Sequence, residues 1–486
     1  PVPSSAASDV YKRQVSSLPT QITYTVTGDT AEFSYPTVAP ITIAAGETTA
    51  TVSVSANSDS DDEGADAITY KITSAGSNGT IGAKDAVTVS IDDDDNPIVS
   101  LVAPSDTSFN EKDGTLAISA TITNVKPFAT ILGLAINSGG SDTAVLGEDY
   151  EIAELSSVTT FAGSGTSGYT DETGASAQFA QPSGMTLDSS GNLYVADREN
   201  QVIRKITPSG VVSTFAGNGE WSHDREEGPK LEVGITNPRA LAFDSNGNLF
   251  VGETGRQRIS KIDVSGNVTH VIGNGDHGDN DGDKTQAQFN DISGMVFDSA
   301  GNLFVSDAGS GKIKKITFAA GTGAATSTTF AGTGNWGYSD GPGNEAEFRE
   351  PRGLTIDSND NLYVADRHNQ RIRKITPDAI VSTFAGDGWG NQDGSLTNAR
   401  FQGPTGISID SNGDFYVIDR EASSIRFIDV SAGTVSTLTG GGGYGHVDGS
   451  FETARFKEPL AVAVGSSSIY ISDESSHRIR EIKLLP

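Results

Sequence analysis

Residues 181–219 read QPSGMTLDSSGNLYVADRENQVIRKITPSGVVSTFAGNG, and the stretch returns five more times toward the C-terminus, the last copy cut short. Recurrence at a near-constant period marks a chain built from like units that bury their apolar faces against one another. The Asp that ends the first apolar run sets the period. It stands at Asp188, Asp244, Asp298, Asp357 and Asp410, with Gly465 in sixth place, in steps of 56, 54, 59, 53 and 55 residues.

Within one copy the apolar residues alternate or run in short blocks instead of recurring every three or four positions, so the unit reads as strands. Four strands are expected. The first is Met185–Leu187, followed by DSSGN, whose Asp, Ser, Gly and Asn supply the positive φ and side-chain-to-backbone bonds of a tight hairpin. The second is Leu193–Ala196. The third, around Val202, Ile203, Arg204 and Ile206, is read with one apolar and one charged face, and the fourth is Val212–Phe215. Four antiparallel strands followed by a long connection make one propeller blade.

The sixth copy supplies three strands, Val462–Val464, Ile469–Ser472 and Arg478–Ile482, and lacks its outermost one. An unmatched copy of that fourth strand, SVTTFAG at residues 157–163, precedes the first blade, where it can pair with the last strand and close the ring. Closure removes the exposed sheet edges that an open array would leave. The expectation is an all-β chain whose residues 154–486 form a six-bladed β-propeller.

The repeat, PxG(I/L)xxDxxGNLYVADxxNxRIRKIxxxGxVSTFAG, resembles the NHL family of propeller repeats, with YVADRENQVIRKI in blade one and YVADRHNQRIRKI in blade four as its best copies. Blade two departs with Glu253 in place of Asp, and blade three has Ile292 where the others have Pro. The resemblance covers about two thirds of the chain. It implies a fold and leaves the activity open, because such propellers serve as scaffolds, as binders and in some cases as enzymes.

The chain has 486 residues, no cysteine, two methionines and a formal net charge of −30. That length accommodates several domains, and nothing in the fold can rest on disulfides. So acidic a chain is no partner for nucleic acid. Its basic residues are spread along the third strands, at Arg204, Arg258, Lys314, Arg373, Arg426 and Arg480, and form no patch. No apolar run approaches the ~20 residues that span a bilayer. Richness in Gly, Ser, Thr and Asp without cysteine leads us to expect an extracellular or bacterial cell-surface protein. Residues 1–14, which include the adapter-like SSAASDVYKRQ, are set aside as non-native or disordered, and the natural N-terminus is expected upstream.

Residues 15–97 carry alternating strands (ITYTVTG, TATVSVSA, ITYKITSA, DAVTVSI) separated by acidic or Gly-rich loops, which reads as a β-sandwich. SDSDDEGADAITYKI followed by IDDDDNP resembles the Calx-beta domain, here lacking its first strands. The resemblance implies a calcium site in which Asp62, Glu63 and Asp66 join Asp92, Asp93 and Asp94. Calcium takes six to eight oxygens in irregular geometry, and it would relieve the repulsion of clustered carboxylates. The alternative is an acidic, solvated linker. Residues 98–153 resemble the beginning of a second such domain, with Glu111 in the early acidic position and GEDYEI at 147–152. Because closure would set the two ends of the propeller side by side, the propeller is expected to be an insert in that second domain.

The connections from each fourth strand to the next first strand share the pattern GxGxxGYxDGxxxxAxFxxP and emerge on the same face as the second-to-third turns. All three tryptophans, Trp221, Trp336 and Trp389, fall in them, with Tyr169, Tyr338 and Tyr444. Aromatic faces beside acidic and amide groups suit stacking on sugar rings, so the expected ligand is a glycan or a protein. The alternative is that these rings wedge between blades, as Phe179, Phe289, Phe348 and Phe401 are expected to do. Asp171, Asp281, Asp340, Asp393 and Asp448 in the same loops read first as turn residues. A calcium site around Asp276, Asp279, Asp281 and Asp283 is the other reading of the third loop. The carboxylates ending the second strands, Asp197, Glu253, Asp307, Asp366, Asp419 and Asp473, read as caps of the turns that follow.

The six histidines, His223, His270, His277, His368, His446 and His477, sit in unlike contexts with no HxxxH or HExxH spacing. There is no cysteine nucleophile and no GxSxG elbow. A non-catalytic binding or adhesion protein is therefore expected. A protein-interaction scaffold and a metal-dependent lyase or lactonase stand as the alternatives.

Overall fold

In the computed structural model, which describes residues 157–221, 225–440 and 443–483 in full and only backbone strand segments within residues 1–156, every full repeat opens with a hairpin tied by its own aspartate. Asp188 Oδ1 accepts the N–H groups of Ser190 and Asn192, both at 2.9 Å, and Oδ2 accepts Asn192 Nδ2 at 2.8 Å. Such an Asx turn replaces backbone pairing where the chain reverses. Asp244, Asp298, Asp357 and Asp410 repeat it.

Blade one then runs Pro182–Leu187, Leu193–Asp197, Val202–Ile206 and Val212–Ala216 as one antiparallel sheet in sequence order. The first strand starts three residues earlier than expected, since Pro182 already stands opposite Asp197, across a bulge that ends at Met185. Proline lacks an N–H and is tolerated at the first position of a strand. The first strands of all six blades pack on one another around the ring, blade six against blade one included. The sixth sheet is assembled from both ends of the unit, in the order Gly449–Ser450, Ser157–Ala162, Arg478–Lys483, Ser468–Asp473, Pro459–Val464. Val158 stands opposite Ile482 and Thr160 opposite Arg480. The chain is a closed, all-β, six-bladed propeller.

The glycine of the PxG motif has a steric cause. A Cβ on Gly184 would lie 2.0 Å from the carbonyl oxygen of Arg239 in the next blade; Gly294, Gly353 and Gly406 face Arg352, Thr405 and Leu460 oxygens at 2.5, 2.4 and 2.9 Å. Innermost strands approach closely enough that four blades need glycine there. Blades two and six carry Ala240 and Ala461.

Three features were not foreseen. Blades two to six gain a two-residue fifth strand on the outer edge, such as Gly228–Pro229 beside Asn267–Ile272, drawn from the connection preceding the blade. The third strands are not half-solvated: four of the five residues of Val202–Ile206 are buried, Arg204 completely, because each blade is covered on both sides by its neighbours. Finally, in four blades the residue in left-handed conformation after the second-to-third turn reaches into the following blade. Gln201, Gln257 and Gln370 accept the N–H of Asn237, Asp291 and Gly403 at 2.6, 2.9 and 2.8 Å. At the seam between blades six and one, His477 Nδ1 accepts Gln181 N–H at 3.1 Å in the same role.

The chain divides into two units, Pro1–Ala153 and Glu154–Pro486. The side chains of Asp62, Glu63, Asp66, Asp92, Asp93 and Asp94 lie outside the described residues, as do the sandwich reading, the second partial domain and residues 1–14.

Candidate functional site

The loops of the upper face are fixed from below by buried charge. Arg204, fully buried, donates through Nη1 to Asp197 Oδ2 at 2.9 Å and through Nη2 to Asp171 Oδ1 at 2.6 Å. Asp171 Oδ2 in turn accepts the N–H of Thr214 in the fourth strand at 3.0 Å. Asp340–Arg373–Asp366 and Asp393–Arg426–Asp419 repeat the arrangement. Asp448–Arg480–Asp473 does so across the seam, with Asp448 accepting Thr160 N–H at 3.0 Å from the closing strand. The loop aspartates are thus more than turn formers. They carry one carboxylate to both a buried guanidinium and a strand edge, while the two Nη groups of the planar guanidinium serve two different aspartates.

The second-strand carboxylates make no capping bond to the backbone of the turns that follow; they hold the loop that enters the first strand, a side chain of the turn, and the arginine. Asp197 Oδ1 accepts Ala180 N–H at 2.7 Å and Oδ2 accepts Asn200 Nδ2 at 2.8 Å. Burial pushes the Asp197 and Asp419 carboxyls up to about 6 and about 7, against the pull of their hydrogen bonds and arginines. Blade two compensates for its departure and blade three does not. The longer Glu253 accepts from Arg258 and Ser260, at 3.1 and 2.5 Å, where Ser260 stands in the arginine place. In blade three Lys314 turns to three loop carbonyls and Asp281, leaving Asp307 Oδ2 without a partner, and burial pushes Asp307 up to about 7.

On this frame the aromatic residues separate into two groups. Trp336 and Trp389 form parallel bridges to Phe348 and Phe401, each twelve residues later, as Ser167 and His277 do to Phe179 and Phe289. The same offset from Val233 and Phe456 gives Trp221 and Tyr444. One structural position per blade is therefore Ser167, Trp221, His277, Trp336, Trp389 and Tyr444. Four of the six are aromatic and 54–60% exposed. The plugs Phe179, Phe289, Phe348, Phe401 and Phe456 are fully buried. Trp336 stands over the second-to-third turn of blade three, where a Cβ on Gly311 would lie 3.3 Å from Trp336 Cδ1. Tyr169 and Tyr338 form the second group. Their hydroxyls bond Thr214 and Thr383 at 2.8 and 2.7 Å, and Arg204 and Arg373 lie over their rings at 5.2 and 5.0 Å.

Nearer the axis lies a ring of ion pairs that the sequence reading missed. Arg239 and Arg352 share Asp291 at 2.9 and 3.2 Å, and Glu350 pairs with both Arg352 and Arg367. Arg367 reaches Glu421 at 3.1 Å; Arg420 and Arg198 meet on Glu474 at 2.7 and 3.1 Å. Five of the six blade junctions are bridged in this way at the start of the first strands. The signal was present as Arg or Glu directly after four of the five second-strand Asp residues (DREN, DRHN, DREA, DESS) and as an acid before the first strand in blades three, four and six. Each carboxylate named here is neutralised by arginine. Among the described residues no group of three or more His, Cys, Asp or Glu is placed to hold a metal ion. Asp279, Asp281 and Asp283 are taken by Lys312, Lys314 and Thr285. The described histidines are scattered. His368 meets Glu350 at 3.0 Å, His446 is pushed down to about 4 by burial and by Arg480 and Arg478, and His223 lies outside the described residues.

Residues 179–206, 348–375 and 401–426, in blades one, four and five, match the NHL repeat. The fold and these segments define a six-bladed β-propeller carrying NHL repeats. Over 292 residues the chain is 30% identical to Protein SUPPRESSOR OF QUENCHING 1, chloroplastic, of Arabidopsis thaliana, which covers 57% of this chain and 27% of that protein. Over 326 residues it is 29% identical to NHL repeat-containing protein 2 of Homo sapiens, 63% of this chain and 39% of that one. The chain thus spans well under half the length of these relatives. A structural genomics protein of unknown function from Bacteroides thetaiotaomicron shares the fold, with a TM-score of 0.53 and 19% identity over 90% of this chain and 94% of that one.

Proposed function

We propose that the chain is a non-catalytic binding protein whose upper propeller face takes a glycan on Trp336, Trp389 and Tyr444, with Trp221 across a gap. The observation that carries this reading is the recurrence of exposed rings at one blade-equivalent position. Three of them stand at consecutive junctions, 54%, 58% and 60% exposed, above loops that buried ion triads hold rigid. An exposed tryptophan on a rigid base offers a large apolar face to a sugar ring at small entropic cost. In this reading Tyr169 and Tyr338, whose hydroxyls are engaged by Thr214 and Thr383, stand at the edge of the site.

A glycan array probed with the full chain tests the reading. Replacing Trp336 and Trp389 together by Ala is expected to abolish retention of any bound glycan and leave the melting temperature nearly unchanged, since both rings are mostly exposed. A large loss of stability would mean that they are packing residues. Retention of a protein from solution by this face, with no glycan bound, would favour the scaffold alternative. The lyase or lactonase alternative needs three or four metal ligands converging on the channel mouth, where arginine–carboxylate pairs stand instead. We further propose an extracellular or cell-surface location and a calcium ion held by Asp62, Glu63, Asp66, Asp92, Asp93 and Asp94. Elemental analysis of the purified chain distinguishes these readings: calcium alone supports the sandwich site, and equimolar zinc would support the enzyme.

A further inference from the structure

Where the fourth strand bulges beside Ile203 and its equivalents, one residue turns toward the groove between neighbouring blades. It is Phe161, Phe215, Phe330 or Phe384 in four blades, Leu438 in the fifth and Val271 in the second. In blade one Phe215 stands edge-on to Tyr194, with centroids 4.8 Å apart, and Tyr194 meets Phe243 at 5.0 Å, so the groove is filled. Val271 is too short for this. A cavity of about 680 Å³ opens between blades two and three, on the side of the first-to-second turns and so away from the rim tryptophans.

Its apolar wall is Val271 with Phe250, Phe297 and Phe318. Phe318 belongs to a third strand lengthened to seven residues in blade three, Lys312–Phe318, and its ring lies 5.8 Å from that of Phe250. The acids that border the cavity are spent on their own turns. Asp244 accepts the N–H groups of Asn246 and Asn248, and Asp283 accepts from Thr285. The third-strand lysine is not. Lys205, Lys315 and Lys374 lie over Tyr194, Phe304 and Tyr363 at 5.5, 5.2 and 5.5 Å. Lys261, their equivalent here, makes neither a ring contact nor an ion pair among the described residues. His270, standing where the other blades have threonine, has a buried Nε2 without a partner. Lys284 at the border is paired to Glu227 at 3.5 Å, so the uncommitted positive charge is that of Lys261.

We propose that this cavity binds a small aromatic carboxylic acid, its ring among the phenylalanines and its carboxylate at Lys261 and His270. Its volume falls within the range of small-molecule pockets, and the mixture of an apolar wall with a few convergent polar groups is their usual composition. Three aromatic edges and faces favour an aromatic body, and the uncommitted Lys261 ammonium beside the unpartnered His270 Nε2 favours an anionic head.

The test is 19F NMR line broadening of 4-fluorophenylacetate by the full chain. The wild type broadens the signal, and 4-fluorobenzyl alcohol, which lacks the charge, binds roughly tenfold more weakly. Val271→Phe installs the residue that four other blades carry and is expected to remove binding without unfolding the ring. Lys261→Gln, a substitution at the cavity border, keeps the fold and weakens binding of the acid while leaving the alcohol unchanged. No broadening by the wild type, equal binding of acid and alcohol, or a Val271→Phe variant that titrates like the wild type would each overturn the proposal.

Discussion

Gly184→Ala probes the step on which the ring depends, the close approach of innermost strands. The added Cβ would stand 2.0 Å from the Arg239 carbonyl oxygen and 3.3 Å from Ala240 Cα, so the obstacle is backbone. A comfortable carbon–oxygen contact is about 3.3 Å, so two neighbouring strands must separate by about 1.3 Å. Gly184 does not adopt a positive φ, so the backbone itself accepts alanine and the cost is steric alone. Overpacking of this kind costs about 1–3 kcal/mol, and a closed ring cannot absorb the shift at one edge, which places the cost at the upper end. At roughly 2 °C per kcal/mol for a unit of this size, the melting temperature should fall by about 6 °C. Thermal unfolding followed by circular dichroism measures this, with Ala240→Gly as the comparison, since blade two already accommodates a methyl group there. A Gly184→Ala variant that melts within about 1 °C of the wild type would refute the steric account of the PxG motif.

Two further substitutions address charge. His477 serves the seam as an acceptor, and burial together with Lys457 and Arg478 holds its imidazole below the ordinary 6.5. A depressed folded value means that its contribution is present above pH 6.5 and lost as pH falls through the folded pKa. His477→Gln, which copies the latch of three other blades, should flatten that acid limb in a comparison of melting at pH 5 and pH 8; an unchanged acid limb would remove His477 from the account. Asp307 is the opposite case, with burial raising it from 3.8 to about 7. Its favourable contribution is complete below 3.8 and lost as pH rises through about 7, a penalty on the order of 4 kcal/mol at pH 8. Asp307→Asn keeps the acceptor for Asn290 N–H and should raise the melting temperature at pH 8; a lower value there would show that Lys314 supports the charge after all.

The repeat was legible because its information is local. A period, a hairpin signal at DSSGN and alternating apolar residues determine strands and turns without reference to the rest of the chain. Even ring closure could be read, since the surplus SVTTFAG at residues 157–163 matches the strand missing from the last copy. The grouping of Trp221, Trp336, Trp389 and Tyr444 was half legible. The loops that bear them were evident, but separating these four from Tyr169 and Tyr338 required the bridges to the plug residues and the bonds to Thr214 and Thr383.

The sequence by itself determined the blade, the number of blades and the strand that closes the ring, because each follows from neighbours along the chain. Only the tertiary structure decided what happens between blades. Arg204 reads as one more surface charge until Asp171 and Asp197 converge on it from different segments. Arg239, Arg352 and Glu474 acquire a role only when a ring brings five junctions to one mouth. Val271 becomes the opening of a cavity only because blade three stands beside it. Such contacts are set by closure and not by periodicity, so no reading along one repeat contains them.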